Sequence, residues 1–495
     1  MVNNMNGLSQ IDQIRIKVSN GLDPKHKVQL GQFLTPDAIA HYMASLFPRG
    51  NGDSAYLLDA GAGVGSLSNA FLQRWEAHGF SFKHIDVTAY EIDNTLRKHL
   101  DKSLSVFTNS RCCKVNVLEQ DFIETAARML AFGNGPRYTH AILNPPYRKI
   151  NSDSRHRHLL RQVGIETVNL YSAFIALSIA LMRPGGHIVA IIPRSFCNGP
   201  YYRSFREYLF KKTALKHIHL FTSRNKAFKD DNVLQENVVI LLECSGRQGD
   251  IVISTSTDDQ FTDYHLAKHP FSDIVNPNDQ ERFIHIPTMH DGLNTPSSLP
   301  FDNTLADLDI EVSTGPVVDF RVDQFITDMP TSHSVPLLYP CHFGEKSVEW
   351  PKKGGKKPNA ITLSPETKKW LYPNGYYTMT RRFSSKEEKR RIVASVVTPD
   401  ISDSKYIGFE NHLNVFHHAK KGLTETIARG LAVYLNSTII DEHFRKFSGH
   451  TQVNATDLKQ LKYPSRLLLE KLGIWAKNQP RFSQELIDNE IKDIL

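Results

Sequence analysis

Cysteine is scarce in this chain, and its spacing argues against two kinds of structural site. The 495 residues include 5 cysteines, namely Cys112, Cys113, Cys197, Cys244 and Cys341, and none forms a Cys-x-x-Cys pair. A zinc ribbon needs paired cysteines, and a disulfide framework needs a higher density of them. The histidines also lack metal-site spacing, so the sequence predicts no metal and no disulfide-based fold.

Long apolar runs are missing as well. No stretch approaches the roughly 20 apolar residues of a membrane-spanning helix, and the polar start MVNNMNGLSQ lacks the apolar segment of a signal peptide. We therefore expect a cytoplasmic protein with no membrane partner. With 495 residues, 40% of them hydrophobic and 22% charged, the chain has room for two domains and a sizeable core.

The excess positive charge lies in the C-terminal half of the chain. Residues 341–400 contain 13 Lys and Arg against 6 Asp and Glu, a surplus that equals the net charge of +7 of the whole chain. The clusters are Lys352, Lys353, Lys356 and Lys357, then Arg381 and Arg382, then Lys389, Arg390 and Arg391. Cations beside glycines and aromatic rings favour contacts with nucleic-acid phosphates and bases. A solvated charged loop is the alternative interpretation.

The first half of the chain alternates between strand-like and helix-like patterns. Apolar runs at residues 56–59, 86–90, 114–118, 140–143, 187–192, 214–221 and 237–242 predict seven strands, and residues 67–75, 170–182 and 201–210 have helical patterns. Such alternation predicts a mostly parallel α/β sheet covered on both faces. Ligands of these sheets bind beyond the carboxyl ends of the strands.

A tetrapeptide of unusual chemistry, Asn144, Pro145, Pro146 and Tyr147, directly follows the run at 140–143. An amide oxygen and a backbone carbonyl can both accept hydrogen bonds from one amino group. The tyrosine ring offers a face on which a nucleobase can stack. The tetrapeptide alone is a weak pattern, but its position at a predicted strand end favours a site for a planar amine.

Other predicted strand ends carry the residues of a nucleotide-type cofactor site. Gly61 and Gly63 follow the first strand in the sequence DAGAGVG, Glu91 follows the second, and Asp121 with Phe122 follows the third. Glycines let the backbone approach a ligand closely, and an acid at the second strand end can bind both ribose hydroxyls. A carboxylate beside a ring suits the amino edge and the face of an adenine. A turn without a ligand, and helix N-caps for the acids, are the alternatives.

On these motifs the chain resembles the adenine-specific, S-adenosylmethionine-dependent DNA methyltransferases of type II restriction-modification systems. The match is to the subgroup with N-terminal cofactor motifs and a C-terminal target-recognition domain. Residues 32–36 (QFLTP) look like its N-terminal cofactor motif, 58–63 (LDAGAG) like its glycine-rich motif and 144–147 like its catalytic motif. Residues 448–458 (SGHTQVNATDL) are similar to a stretch near the end of its recognition domain.

The resemblance implies a Rossmann-like, seven-stranded methyltransferase sheet that binds S-adenosylmethionine. The residues it implies for the parts of the cofactor are Thr35 and Asp59 for the methionine end, Gly61 and Gly63 for the turn, Glu91 for the ribose, and Asp121 and Phe122 for the adenine. These roles follow from the resemblance and are expectations.

The same resemblance implies how the target base is held. Asn144 and the Pro145 carbonyl are implied to bind the target amino group, and Tyr147 to stack on the extruded base. A second stacking aromatic is expected later in the chain, for which Phe228 is the candidate and Phe196 the competitor.

The resemblance also implies the partners and the domain organisation. Double-stranded DNA is the implied substrate, the cognate restriction endonuclease is expected to be a separate protein, and the enzyme is expected to act as a monomer. We expect an N-terminal extension at 1–30, a catalytic domain at 31–250, a junction at 251–300 and a mixed α+β target-recognition domain at 301–495.

Several other acceptors of the methyl group are open at this point. The N4 amino group of cytosine presents similar chemistry, although its enzymes more often carry Ser in place of Asn144. RNA adenine is a second alternative, and protein glutamine, which other Asn-Pro-Pro-Tyr enzymes methylate, is a third. A non-catalytic DNA-binding specificity protein is an alternative of another class, and the intact Asn144, Tyr147, Gly61 and Glu91 argue against it.

Overall fold

The computed structural model describes residues 9–21, 34–50, 52–133, 138–222, 236–277, 279–287, 301–344, 347–384, 388–447 and 452–494. The chain divides into two compact units, Met1–Met289 and His290–Leu495. Within the described ranges, no helix combines the length and the apolar character needed to cross a membrane.

A nine-stranded sheet forms the centre of the first unit. Its strands are β1 Ser54–Ala60, β2 His84–Tyr90, β3 Cys113–Leu118, β4 Tyr138–Leu143, β5 Met182–Pro193, β6 Thr213–Phe221, β7 Asn237–Cys244, β8 Ile251–Ser256 and β9 His265–His269. Their order is β3-β2-β1-β4-β5-β7-β6-β8-β9. The first five strands are parallel, and β7 is antiparallel to both β5 and β6. All seven predicted strands are confirmed, within a Rossmann-like α/β fold.

Two strands extend this sheet beyond the seven that the sequence predicts. β8 pairs in parallel with β6, and β9 pairs with β8. Both lie in the segment that we assigned to a junction at 251–300, so the structure corrects the start of that junction. β8 begins with the apolar run Ile251, Val252 and Ile253. Ser254 is also buried in β8, and its hydroxyl oxygen lies 2.7 Å from His217 Nε2 and 2.8 Å from His219 Nδ1.

Helices cover both faces of the sheet. They are α1 Gln10–Gly21, α2 Asp37–Ser45, α3 Ser66–Glu76, α4 Asn94–Ser105, α5 Phe122–Phe132, α6 Arg155–Gln162, α7 Leu170–Leu181, α8 Arg203–Lys212 and α9 Phe271–Ile274. The predicted helices at 67–75, 170–182 and 201–210 correspond to α3, α7 and α8. Helix α1 lies within the predicted N-terminal extension, yet it belongs to the first unit, where Ile11 and Val18 pack with Val64 and Leu96.

The alternation of side chains along the strands places the core on both sides of the sheet. In β4, Ala141 and Leu143 belong to the core under α5 and α7, whereas Ile142 belongs to the core under α2 and α3. Because both faces are covered, the strand ends are where a ligand can reach the sheet.

The second unit contains two small sheets and five helices in the described residues. Its strands are β10 Glu311–Thr314, β11 Ile326–Thr327, β12 Ser334–Leu338, β13 Ala360–Thr362, β14 Leu371–Pro373, β15 Tyr377–Arg381, β16 Ala394–Val397, β17 Tyr406–Phe409 and β18 Leu413–His417. One sheet has the order β10-β18-β15-β16 and the other β11-β13-β12-β17-β14. The helices are α10 Glu425–Leu435, α11 Thr438–Phe447, α12 Ala455–Gln460, α13 Arg466–Asn478 and α14 Gln484–Asp493. This mixed α+β composition is the one that we predicted.

Helices α10 and α13 pack at very short range. A Cβ atom at Gly430 would overlap the carbonyl oxygen of Leu469, and one at Gly473 would overlap the carbonyl oxygen of Thr426. Only glycine permits this approach of two helix backbones. Both helices are therefore part of the core of the second unit.

Candidate active site

The turn after β1 has a backbone conformation that requires glycine. Gly61 and Gly63 have φ angles of +78° and +59°, in the left-handed region. The backbone N–H groups of Gly61 and Ala62 both donate to the Tyr90 carbonyl at 2.9 Å. A Cβ at Gly63 would lie 2.9 Å from Leu34 Cδ2, which is too close for ordinary packing. The turn is thus fixed to the end of β2, and Leu34 packs directly against its second glycine.

Glu91, the first residue after β2, ties this turn to the next helix. Its Oε2 accepts from Gly63 N at 2.8 Å and its Oε1 from Asp93 N at 2.8 Å. Asp93 in turn caps α4 by accepting from Thr95 N at 2.8 Å. Burial raises the pKa of Glu91 to about 7, against the opposing effect of the two backbone donors. The carboxyl group is held in one orientation and keeps lone pairs for further donors.

Asp121 and Phe122 lie at the start of α5, after β3. Asp121 Oδ1 accepts from Glu124 N at 2.9 Å, which makes it the N-cap, and its Oδ2 lies 3.0 Å from His156 Nε2. Asp121 is therefore the N-cap of α5, as the alternative interpretation predicted. The capping role leaves the cofactor-binding role open, because Asp121 and Phe122 both line the cleft described below. The Phe122 ring packs at 5.0 Å from the Phe174 ring.

The tetrapeptide follows β4, the strand next to β1 in the sheet. Asn144 Nδ2 donates to Thr35 Oγ1 at 2.9 Å. The Tyr147 hydroxyl lies 2.9 Å from Asn144 Oδ1 and 3.1 Å from the Ile191 carbonyl oxygen. A tyrosine hydroxyl has one hydrogen, so it donates to one of these two acceptors at a time. The Asn144 amide is thereby held between Thr35 and Tyr147.

A cleft with about 910 Å³ of open space connects these elements. The lining includes seven of the predicted residues, which are Gly61, Gly63, Glu91, Asp121, Phe122, Asn144 and Pro146. The structure therefore brings the turn, the two acids and the amide together at one edge of the sheet.

Four predicted residues do not line this cleft, namely Thr35, Pro145, Tyr147 and Asp59. Thr35 is buried behind Asn144, and Pro145 is also buried. Tyr147 is half-buried, with its hydroxyl bound to the sheet.

Asp59, which we expected at the methionine end of the cofactor, is fully buried and accepts from Ser68 Oγ at 2.6 Å. Burial raises the pKa of Asp59 to about 7. The structure corrects our expectation, because this carboxyl group joins β1 to α3 and does not reach the cleft.

Other residues line the cleft without having been predicted. They are Leu34, Tyr90, Ile92, Leu96, Gln120, Ile123, Arg148, His156, Leu170 and Phe174. Leu34 and Gln120 adjoin predicted residues and were within reach of the motif argument. His156, Leu170 and Phe174 come from α6 and α7, and no local pattern shows which face of a helix meets a cleft.

The two candidates for a second stacking aromatic have different outcomes. Phe228 lies outside the described residues, so its role stays a prediction. Phe196 is 1% exposed and packs in the core, 5.9 Å from the Phe205 ring. The structure therefore excludes Phe196 as a surface ring in this conformation.

The predicted phosphate-binding lysines lie on a loop of the second unit. Lys353 and Lys356 are exposed. Lys352 Nζ lies 3.3 Å from Glu349 Oε2, and Lys357 Nζ donates to Asp319 Oδ2 at 2.8 Å. Lys353 and Lys356 are thus exposed, whereas Lys352 and Lys357 each contact an acidic side chain.

The arginines of the C-terminal clusters are more strongly engaged with the protein. Arg381 stacks over the Phe343 ring at 5.2 Å, and Arg382 Nη1 donates to the Asn411 carbonyl at 3.2 Å.

Arg391, in the third cluster, is 0% exposed and its backbone N–H donates to Asp441 Oδ1 at 2.5 Å. The prediction that the whole run 389–391 forms a basic face is therefore wrong for Arg391.

The stretch that resembled the end of a recognition domain packs beside this region. Residues 448–451 lie outside the described residues, but the Val453 N–H donates to the Arg382 carbonyl at 2.7 Å. Asn414 Nδ2 donates to the Val453 carbonyl at 2.7 Å.

In the described part of the chain, no group of three or more His, Cys, Asp or Glu could hold a metal ion.

Comparisons with known proteins identify the family of this chain. Residues 63–228 match the protein-family model described as Eco57I restriction-modification methylase. The chain is 50% identical over 495 residues to the type II methyltransferase M.BsuBI of Bacillus subtilis, covering 99% of this chain and 98% of that protein. It is 43% identical over 504 residues to the type II methyltransferase M.PstI of Providencia stuartii, covering 98% and 96%.

A similarity of structure covers both units. The fold matches that of DrdV in a cryo-EM structure of its DNA complex with a TM-score of 0.53, at 11% sequence identity, over 94% of this chain and 59% of that one. At this level of identity the likeness shows a shared fold only.

Proposed function

This chain belongs to the type II methyltransferases of restriction-modification systems, and from that premise we propose which of its residues perform the reaction. The protein is a DNA methyltransferase that transfers a methyl group from S-adenosylmethionine to the N6 amino group of adenine at a specific sequence. The methylated DNA is protected from the restriction endonuclease that recognises the same sequence. The observation that carries the residue assignment is that Asn144, Glu91 and Gly63 line one cleft.

The cofactor fits the polar groups of this cleft. Gly61 and Gly63 leave room for its amino acid part, Glu91 presents acceptor oxygens for the ribose hydroxyls, and Asp121 and Phe122 present an acceptor and a ring for the adenine. Bound S-adenosylmethionine supplies a methyl group on a sulfonium, which is already an excellent leaving group. We therefore propose that the reaction needs no metal.

Asn144 and Pro145 activate the target amine. The lone pair of an adenine amino group is delocalised into the ring, so the nitrogen is a poor nucleophile until it is drawn toward tetrahedral geometry. Asn144 Oδ1 and the Pro145 carbonyl are two acceptors for its hydrogens. Asn144 Nδ2 donates to Thr35 Oγ1 and the Tyr147 hydroxyl donates to Asn144 Oδ1, and these two contacts hold the amide in place. Holding the amine in line with the methyl group supplies much of the remaining rate.

The target adenine must leave the duplex to reach this site. Stacking of the base on Tyr147 offsets part of the unstacking cost, which is a few kcal/mol. The exposed Lys353 and Lys356 are proposed to contact DNA phosphates, together with Lys352, Lys357, Arg381 and Arg382. We also propose that the enzyme acts as a monomer in the cytoplasm, and that its endonuclease is a separate protein.

The test is methylation of DNA by the full chain. Single-molecule sequencing of DNA from a methylation-free host that expresses the protein should show N6-methyladenine at one short recurrent sequence. Asn144→Ala should abolish this signal while S-adenosylmethionine still binds. Equal methylation by the variant would refute the role of Asn144, and N4-methylcytosine in the wild-type sample would refute the choice of base.

A further inference from the structure

The two oxygens of the Asp121 carboxylate have different partners, and one of these partners is His156. Asp121 Oδ1 is occupied by Glu124 N at 2.9 Å, and Oδ2 lies 3.0 Å from His156 Nε2. With one contact to each oxygen, the plane of the carboxylate is fixed. Both side chains are about one-third exposed and both line the cleft.

The two residues come from separate parts of the first unit. Asp121 begins α5, and His156 is the second residue of α6, which follows the catalytic tetrapeptide in the chain. Ser154 caps α6 by accepting from Arg157 N at 3.3 Å. The His156–Asp121 contact therefore connects the segment after the catalytic motif to the expected adenine end of the cleft.

The charges around His156 favour its protonated form. The hydrogen bond to Asp121 raises the pKa of His156, and Glu124 acts in the same direction. Arg155, which pairs with Glu124 at 3.0 Å, opposes them, and Arg148 also lines the cleft. Burial is the largest single effect on Asp121 and opposes its ionisation, but the His156 contact and the backbone N–H donors of α5 together lower the pKa of Asp121. The contact of His156 with this carboxylate is therefore a charge-assisted hydrogen bond.

We propose that His156 is a positioning residue that aims the Asp121 carboxylate at the 6-amino group of the cofactor's adenine. A carboxylate accepts hydrogen bonds and donates none, so a fixed one selects a purine that carries an amino group over one that lacks it. The inference rests on the proposed function, because it takes the cleft to bind S-adenosylmethionine. It adds that selection for the amino group depends on a residue outside the cofactor motifs.

The experiment compares two ligands on the full chain by calorimetry. One is S-adenosylhomocysteine, and the other is its analogue whose purine lacks the 6-amino group. The variants are His156→Leu, which removes the donor, and His156→Gln, which keeps a donor without a charge. His158→Leu is the matched control, since His158 is exposed on the same helix and does not line the cleft. Thermal midpoints verify that each variant is folded.

The wild type should prefer the amino ligand by about tenfold or more, as expected for a hydrogen bond to a charged group. His156→Leu should remove most of this preference, His156→Gln should keep part of it, and His158→Leu should leave it unchanged. In the wild type the preference should weaken as rising pH deprotonates His156, whereas in the Gln variant it should not change with pH.

A folded His156→Leu variant with the wild-type preference would overturn the inference. Equal binding of both ligands by the wild type would also overturn the inference. If that same protein methylated DNA, the proposed function would still be supported. A wild type that binds neither ligand would refute the proposed cofactor site itself.

Discussion

Replacing Thr35 by Val tests whether this residue acts on the target amide or on the cofactor. Thr35 is 4% exposed, and its Oγ1 accepts from Asn144 Nδ2 at 2.9 Å. Valine has nearly the same shape as threonine but lacks the acceptor. The substitution therefore leaves the packing in place and removes one of the contacts that orient Asn144.

The expected magnitude follows from the loss of that hydrogen bond. A buried donor left without its partner costs about 1–3 kcal/mol. If this cost falls on the orientation of Asn144 in the transition state, kcat should fall by roughly 5- to 150-fold. Thr35→Ser keeps the hydroxyl and should retain most of the activity.

Steady-state methylation of DNA separates the two roles. Our interpretation predicts a lower kcat for Thr35→Val with little change in KM for S-adenosylmethionine. The family resemblance places Thr35 against the methionine part of the cofactor, which predicts a raised KM with kcat unchanged. A pure KM effect would therefore refute the orienting role.

Three further predictions concern stability and DNA binding. Helix propensity alone would make Gly430→Ala stabilising by about 1 kcal/mol. Because the new Cβ would overlap the Leu469 carbonyl oxygen, we expect the substitution instead to lower the free energy of unfolding in urea by about 1–3 kcal/mol. A higher free energy of unfolding would contradict the close packing of the two helices. Replacing Lys353 and Lys356 by Gln should reduce the slope of log K for DNA against log salt by about 1.8, and an unchanged slope would identify a merely solvated loop. Because burial raises the pKa of Asp59 to about 7, the folded state keeps a proton that the unfolded chain releases, and thermal stability should fall as pH rises toward 7. Asp59→Asn should remove that part of the pH dependence, and an unaltered profile would contradict it.

The catalytic half of the fold was predictable because its signals are local. Strands β1 to β7 are short apolar runs, and parallel strands bring their carboxyl ends to one edge, so Glu91 and Asn144 had to be near each other. Strand β8 was assigned to the junction because its apolar run, Ile251 to Ile253, is short and the segment that follows is rich in Asp, Asn, Pro and Ser. The contacts of its buried Ser254 with His217 and His219 of β6 become visible only when the strands are paired.

The errors in the site have the same origin in long-range contacts. Asp59 looks like a cofactor ligand beside the glycine turn, but its hydrogen bond to Ser68 buries it against α3. Arg391 looks like part of a basic surface, but it is buried, and its backbone N–H donates to Asp441, fifty residues later in the chain. His156 has no distinguishing neighbours in the sequence and acquires a role only through Asp121.

The residues that line the cleft all lie between Leu34 and Phe174, whereas the exposed lysines lie beyond residue 350. Reactive and cationic groups are thus encoded at opposite ends of the gene. Genetic exchange between relatives with a crossover near codon 290, where the two units divide, would transmit every cleft residue from one parent and every basic cluster from the other. Such an exchange would replace every basic cluster and leave the cleft residues unchanged.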